Sequence, residues 1–345
     1  MIFFNKDIKI KLLILGLSLI SSIFSTQAQD KIEPKDIFRY DSITGIGYEK
    51  GVTRRDPSDI IKVDGVYYVY YTKVIGRSSG YWGDIWYATS VDEGFSWEEQ
   101  GQALGKGHLG DFDSQAVFTP NIIFAHNKYY LFYTAVKPTP GNLDMEFENN
   151  SSTDITAIGL AVSKSPSGPF ERLSAEPILK VSTEPEKFDS YRIDDASLLY
   201  RNGLYWLYYK GRSRVHAETG PAHTQMGVAY AQSPEGPYTK FNRPLLDKSH
   251  EVLIWPFKNG VNALASISSQ IKYAPDGINF DSKNEGYKVK SRPNAPGAFR
   301  PDLTNSVVVG EKLSWGIGMV HNGNDAYLIR FDTILLPFEK INFSK

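Results

Sequence analysis

DPSDIIKVDGVYYVYYT, running from Asp56 to Thr72, is the stretch on which the fold turns. It opens on a polar turn, continues as an apolar segment, breaks at Asp64-Gly65 and resumes as a tyrosine-rich segment. The phrase returns as TPNIIFAHNKYYLFYT from Thr119 and as DASLLYRNGLYWLYYKG from Asp195. A second phrase follows each copy: IWYATSVDEGFSWEEQG from Ile85, IGLAVSKSPSGPFERL from Ile158 and MGVAYAQSPEGPYTKF from Met226. Weaker copies are HEVLIWPFKNGVNALAS from His250 with IKYAPDGINF, then DLTNSVVVGEKLSWGIGM from Asp302 with AYLIRFDTILL. Each unit reads as several short alternating strands separated by Gly, Pro, Asn or Asp turns, the pattern of a four-stranded blade. Five such units predict an all-β chain folded as a five-bladed β-propeller.

Bulk properties narrow the function. The formal net charge of −1 provides no basic field for nucleic acid. With no cysteine, disulfides, thiol catalysis and thiolate zinc sites are excluded. Aromatic residues make up 13% of the chain, including 21 Tyr, which suits half-buried strands and surfaces that stack on sugar rings. At the N-terminus, Lys6, Lys9 and Lys11 precede LLILGLSLISSIF and the small-residue stretch STQA. This predicts a signal peptide over residues 1–28, cleaved after Ala28, and a single propeller domain over 29–345. No cysteine follows the apolar stretch to carry a lipid, so the mature protein is expected in a periplasm or secreted, with no membrane partner.

Innermost strands of a propeller face one axis, so equivalent positions of the repeats converge. With the tyrosine-rich ends superposed, the position before Pro-Ser, Pro-Asn or Ala-Ser is Asp56, Thr119 and Asp195. The fourth unit offers His250 and Glu251, and the fifth offers Arg300 and Asp302. Two carboxyl groups across a sugar suffice for glycoside hydrolysis, one as acid on the leaving oxygen and one as base or nucleophile. A third tunes the acid, because neighbouring like charges push titrations apart. The bland alternative makes Asp56 and Asp195 strand-start turn residues that satisfy backbone amides; recurrence in repeat register favours the catalytic reading. Strand alternation allows only one of His250 and Glu251 to point inward unless a bulge intervenes. His126 stands in a hairpin position held by Asp64 and Asn202 elsewhere, which marks it as a turn residue.

With these residues in view, the chain resembles glycoside hydrolase family 117, the exo-acting α-1,3-(3,6-anhydro)-L-galactosidases, and more distantly family 43. The resemblance rests on RRDPSDIIKVDGVYYVYYT, GDIWYATSVDEGFSWEEQG, VFTPNIIF, FDSYRIDDASLLYRNGLYWLYYKG, SPEGPY, SHEVLIWPFKNGV and APDGINF. It implies an inverting enzyme acting on algal galactan oligosaccharides, with the general base on Asp56 and a second Asp on Asp195. It also implies a His-Glu pair on His250 and Glu251, either of which is the acid. Asp194 stands where the family has His and Ala196 where it has Pro. Asp194, Thr119 and Arg300 are secondary candidates for substrate contact. No cofactor is expected; the family link to a divalent ion finds no ligand cluster here. The stretch before the first unit is too short for the helical segment that the family swaps between subunits, so a monomer or an unswapped homodimer is expected. A family 43-like arabinofuranosidase or xylosidase, and an inactive glycan-binding propeller, are the alternatives.

Overall fold

The computed structural model describes residues 36–334 except 77–82, 138–154, 281–285, 306–311 and 324, and, within its regular elements, the side chains of 155, 217–221, 286 and 287 are outside the description. The leader expected over residues 1–28 lies outside the described residues. Five antiparallel sheets form the blades of a five-bladed β-propeller. Blade one comprises Val52–Arg55, Ile61–Val63, Val66–Ile75, Asp84–Ser90 and Glu98–Leu104. In blade two, Ala116–Ala125, Lys128–Lys137 and Ile155–Ser163 are completed by the short strands Glu171–Arg172 and Leu179–Lys180. Blade three repeats this plan with Arg192–Arg201, Leu204–Arg212, Gln225–Ala231, Thr239–Lys240 and Leu246–Asp247. Blade four is Val252–Phe257, Gly260–Ala265, Gln270–Ala274 and Gly286–Lys288.

Blade five departs from the sequence expectation. Its inner strand is Asn294–Ala298, ahead of the stretch from Asp302, followed by Trp315–Asn322 and Asp325–Thr333. Its outermost strand is Phe38–Asp41, from the other end of the chain, paired antiparallel with Asp325–Thr333. Part of the stretch before the first unit therefore supplies the outermost strand of blade five.

Repetition in the sequence has a physical source in the second strand of each blade. In blades one to three its hairpin turns on two residues with left-handed backbone: Asp64-Gly65, His126-Asn127 and Asn202-Gly203. Such turns match the twist of the flanking strands and favour Asn, Asp and Gly, and His126 is the turn residue expected. The tyrosines that follow split their work. Tyr71, Tyr133 and Tyr209 donate to the carboxylates of Glu99 (2.6 Å), Asp113 (2.9 Å) and Asp189 (2.9 Å). Tyr70 and Tyr208 reach forward to carbonyls in the turns of the next blade, at Pro166 and Gly277. Phe132, in the equivalent place in blade two, packs edge-on against Tyr238 of the next turn. The Ser-Pro-x-Gly-Pro phrase is thus a landing site for the neighbouring blade.

The ring closes between blades five and one with main-chain bonds. Ile60 N–H donates to Ala298 O and Arg300 N–H donates to Ile60 O. Gly297 lies so close to blade one that a Cβ there would sit 1.8 Å from the Ser58 carbonyl oxygen. Only glycine permits that approach.

Candidate active site

Four inner strands share one distortion. Register shifts fall between Phe118 and Asn121, Asp194 and Ser197, and Asn294 and Gly297. In blade one the chain leaves the sheet between Arg55 and Ile61. At each break one residue has positive φ: Asp56 (49°), Thr119 (43°), Asp195 (55°) and Ala295 (39°). These kinks re-aim the side chain out of the ladder, and a residue held in this region outside glycine marks a constrained position. All four line one open cavity, joined from blade four by Glu251.

Four carboxylates line this cavity: Asp59, which is buried and paired with Arg300, and the three more accessible ones, Asp56, Asp195 and Glu251, from three blades. Asp56, Asp195 and Glu251 are partly accessible, with side-chain exposures of 18%, 13% and 18%, and each has a cation beside it. Arg55 Nε lies 3.1 Å from Asp56 Oδ2, Lys210 Nζ 2.8 Å from Asp195 Oδ2 and Arg292 Nη1 3.4 Å from Glu251 Oε2. Arg292 is itself held by Asn294 Oδ1 and Pro293 O, both at 3.1 Å. The remaining wall mixes the small apolar side chains of Pro57, Pro120, Ala196, Val252 and Pro296 with the polar Asn121. Thr119 supplies a hydroxyl to the wall; that hydroxyl is bonded to the Thr134 hydroxyl, and its N–H donates to Thr72 Oγ1.

Burial pushes the Asp195 carboxyl up to about 7; Lys210 opposes this, while Asp194 and Asp56 add to it. Asp194 is deeper, 1% exposed, between Arg192 Nη2 (2.9 Å) and Lys210 Nζ (3.2 Å). Burial disfavours its charge, yet Lys210 and Arg192 more than offset that and hold its carboxyl below the usual range. Asp194 supports the cavity floor from beneath and is sealed from a substrate, contrary to the expected contact. His250 also lies behind the wall. Burial and the nearby Lys210 charge lower its imidazole to about 2, against an opposing pull from Asp194. Only Glu251 of the pair lines the cavity; both residues precede the strand Val252–Phe257, so strand alternation does not decide between them.

Arg300 is likewise not a substrate contact. It is 2% exposed and spans the base of the propeller. It donates to Asp302 of blade five (2.7 and 2.6 Å), Asp59 of blade one (3.3 Å), Leu198 O of blade three (3.0 Å) and Ile254 O of blade four. The blade-five residue at the cavity is Ala295, which carries no charge to the site. Lys210 escaped the sequence reading. Its only signal was lysine where the equivalent tyrosine-rich phrases carry Thr72 and Thr134. Among the described residues no group of three or more His, Cys, Asp or Glu is arranged to hold a metal ion.

Comparison with known proteins agrees with this geometry. Residues 53–222 match the family model of the glycosyl hydrolases family 32 N-terminal domain. No curated protein matches the chain significantly. Among solved structures, the chain is similar to a family 117 glycoside hydrolase produced by the marine bacterium Zobellia galactanivorans. Identity there is 26%, with 88% of this chain and 93% of that one covered at a TM-score of 0.73. A thermostable family-43 glycoside hydrolase shares the fold at 17% identity, covering 86% and 93% of the two chains with a TM-score of 0.55. Fructan 1-exohydrolase IIa from Cichorium intybus shares it at 15% identity, covering 84% and 57% with a TM-score of 0.56. Fold and likeness together give this chain the five-bladed propeller fold found in glycoside hydrolases, with a resemblance to family 117.

Proposed function

We propose that the enzyme is exo-acting and releases terminal 3,6-anhydro-galactose from the non-reducing end of agar-type oligosaccharides, with inversion. The observation that carries this reading is the set of Asp56, Asp195 and Glu251, brought from three blades to one cavity. Two carboxyl groups perform the displacement, and the third tunes it. Asp56 takes the proton from water as it attacks the anomeric carbon, and Glu251 gives its proton to the departing oxygen. Asp195 orients the sugar. Glu251 rather than His250 serves as acid, because it lines the cavity and the His250 imidazole is kept unprotonated at neutral pH. The proline and alanine side chains of the wall offer apolar contact to a bicyclic anhydro sugar, which has fewer hydroxyls to satisfy than a hexose. The 26% identity to a family 117 enzyme of a marine bacterium supports the same substrate class. The leader sequence supports action in a periplasm or outside the cell.

The test is kinetic. Asp56→Asn and Glu251→Gln keep shape and remove the ionisable group; each is expected to lower kcat by about 10²–10⁴-fold. Near wild-type turnover in either variant removes that residue from its role. The match to a family 32 domain over residues 53–222 favours a second reading, a fructoside-cleaving enzyme. Hydrolysis of sucrose or a fructan, with agar oligosaccharides untouched, selects it.

A further inference from the structure

We propose that Lys210 is a positioning residue of the site: its ammonium group, shared between Asp194 beneath the cavity and Asp195 at its wall, holds the Asp195 carboxylate charged and in place. This deepens the hydrolase reading above and rests on it for the role of Asp195.

Geometry carries the inference. Lys210 lies near the end of the second strand of blade three, Leu204–Arg212, directly across from Asp194 in the ladder. Its side chain is 8% exposed, with Nζ 2.8 Å from Asp195 Oδ2 and 3.2 Å from Asp194 Oδ1. The same ladder position holds Thr72 in blade one, opposite Arg55, and Thr134 in blade two, opposite Phe118. Those threonines serve the neighbouring kink: Thr72 Oγ1 accepts from Thr119 N–H, and Thr134 Oγ1 accepts from Asp195 N–H at 3.3 Å. Blade three puts a cation at this place instead, beside the carboxylate of its own kink. A buried ammonium is costly unless paired. Here Asp194 and Asp195 more than offset burial and keep it charged.

The charges facing Asp195 come from three elements. Lys210 stands on the adjacent strand, Asp194 on its own strand and Asp56 on blade one. Asp194 and Asp56 disfavour its charge, as burial does, so Lys210 is the counterweight that keeps it from remaining protonated well above neutrality. Lys210 in turn faces Arg192, which like itself is committed to Asp194. Ionised Asp195 is the working form, and its ionisation sets the acidic limb of activity.

The test uses the mature chain with Lys210→Met, Lys210→Arg, Asp195→Asn and the Lys210→Met/Asp195→Asn double variant. The first readout is urea unfolding between pH 5 and 9. Loss of Lys210 is expected to raise the proton affinity of Asp195 at least about tenfold, one pH unit. Wild type and Lys210→Met then diverge as pH rises, and that divergence vanishes in the Asp195→Asn background. Equal divergence in both backgrounds overturns the proposal, since Lys210 would then act through Asp194 alone. The second readout is the pH profile of kcat/KM. Its acidic limb is expected to move up by about one unit or more in Lys210→Met with KM little changed, and to return in Lys210→Arg. A lowered kcat with an unmoved limb also overturns it. If Lys210→Met does not fold, Lys210→Met/Asp194→Asn removes opposite charges together, and the same comparison is run on it. If wild type cleaves no sugar, the hydrolase reading falls while the unfolding readout still decides Lys210.

Discussion

Replacing Arg300 by methionine removes the bolt through the base of the propeller. Methionine keeps the apolar stem and deletes the guanidinium, leaving Asp59 with only Ala298 N–H (2.9 Å) and Asn121 Nδ2 (3.2 Å). Leu198 O and Ile254 O lose donors, and Asp302 loses both of its bonds to the guanidinium. Breaking a buried pair from one side costs about 3–5 kcal/mol, because the remaining charge is uncompensated. The two orphaned carbonyls place the expected loss at the upper end of about 3–5 kcal/mol, a large part of a typical domain's stability. The cost also depends on pH in a stated direction. Burial already raises the Asp59 carboxyl despite the opposing Arg300 charge. A raised carboxyl is at no disadvantage while protonated in both states, and it destabilises the fold as pH climbs through its folded value. Arg300→Met is therefore more damaging at pH 8 than at pH 5, and adding Asp59→Asn recovers part of the loss. Urea unfolding at both pH values measures this. A loss below about 1 kcal/mol at pH 8, within the range of surface substitutions, refutes the assignment of Arg300 as an inter-blade bolt.

Two further outcomes follow from the structure. His250 is held neutral when folded and takes a proton near pH 6.5 when unfolded, so acid favours the unfolded chain. Between pH 7 and pH 5 this costs about 2 kcal/mol, and His250→Gln should lose that much less over the same interval by urea titration; identical pH dependence would show His250 to be solvated. Gly297→Ala drives a Cβ into the Ser58 carbonyl at the joint between blades five and one. It is expected to cost about 3 kcal/mol, and an unchanged Tm would mean that the joint opens without penalty.

Legibility of the sequence tracked the strength of the tyrosine-rich strands. Where such a strand fixes the register, as after Asp56, Thr119 and Asp195, the inward position was readable, because the repeat carries its own hairpin turn and inter-blade contacts. Blade five has no such strand beside NAPGA, an inner strand of small residues without alternation, so Ala295 was passed over for Arg300. Its outer strand comes from Phe38–Asp41, a pairing across nearly the whole chain that local patterning does not encode. Asp194, Lys210 and His250 were obscured for a different reason. Their roles depend on which charges meet under the cavity floor, and strand alternation alone does not distinguish a cavity residue from the buried one beside it.

Incubating the purified mature protein with neoagarobiose, neoagarotetraose and the matching carrageenan oligosaccharides tests the central claim most directly. Analysis of the released sugars is expected to show 3,6-anhydro-galactose leaving the non-reducing end of the agar series, and Asp56→Asn should lower that release by about 10²–10⁴-fold. No release from any of these oligosaccharides, or equal release by the Asp56→Asn variant, would contradict the account.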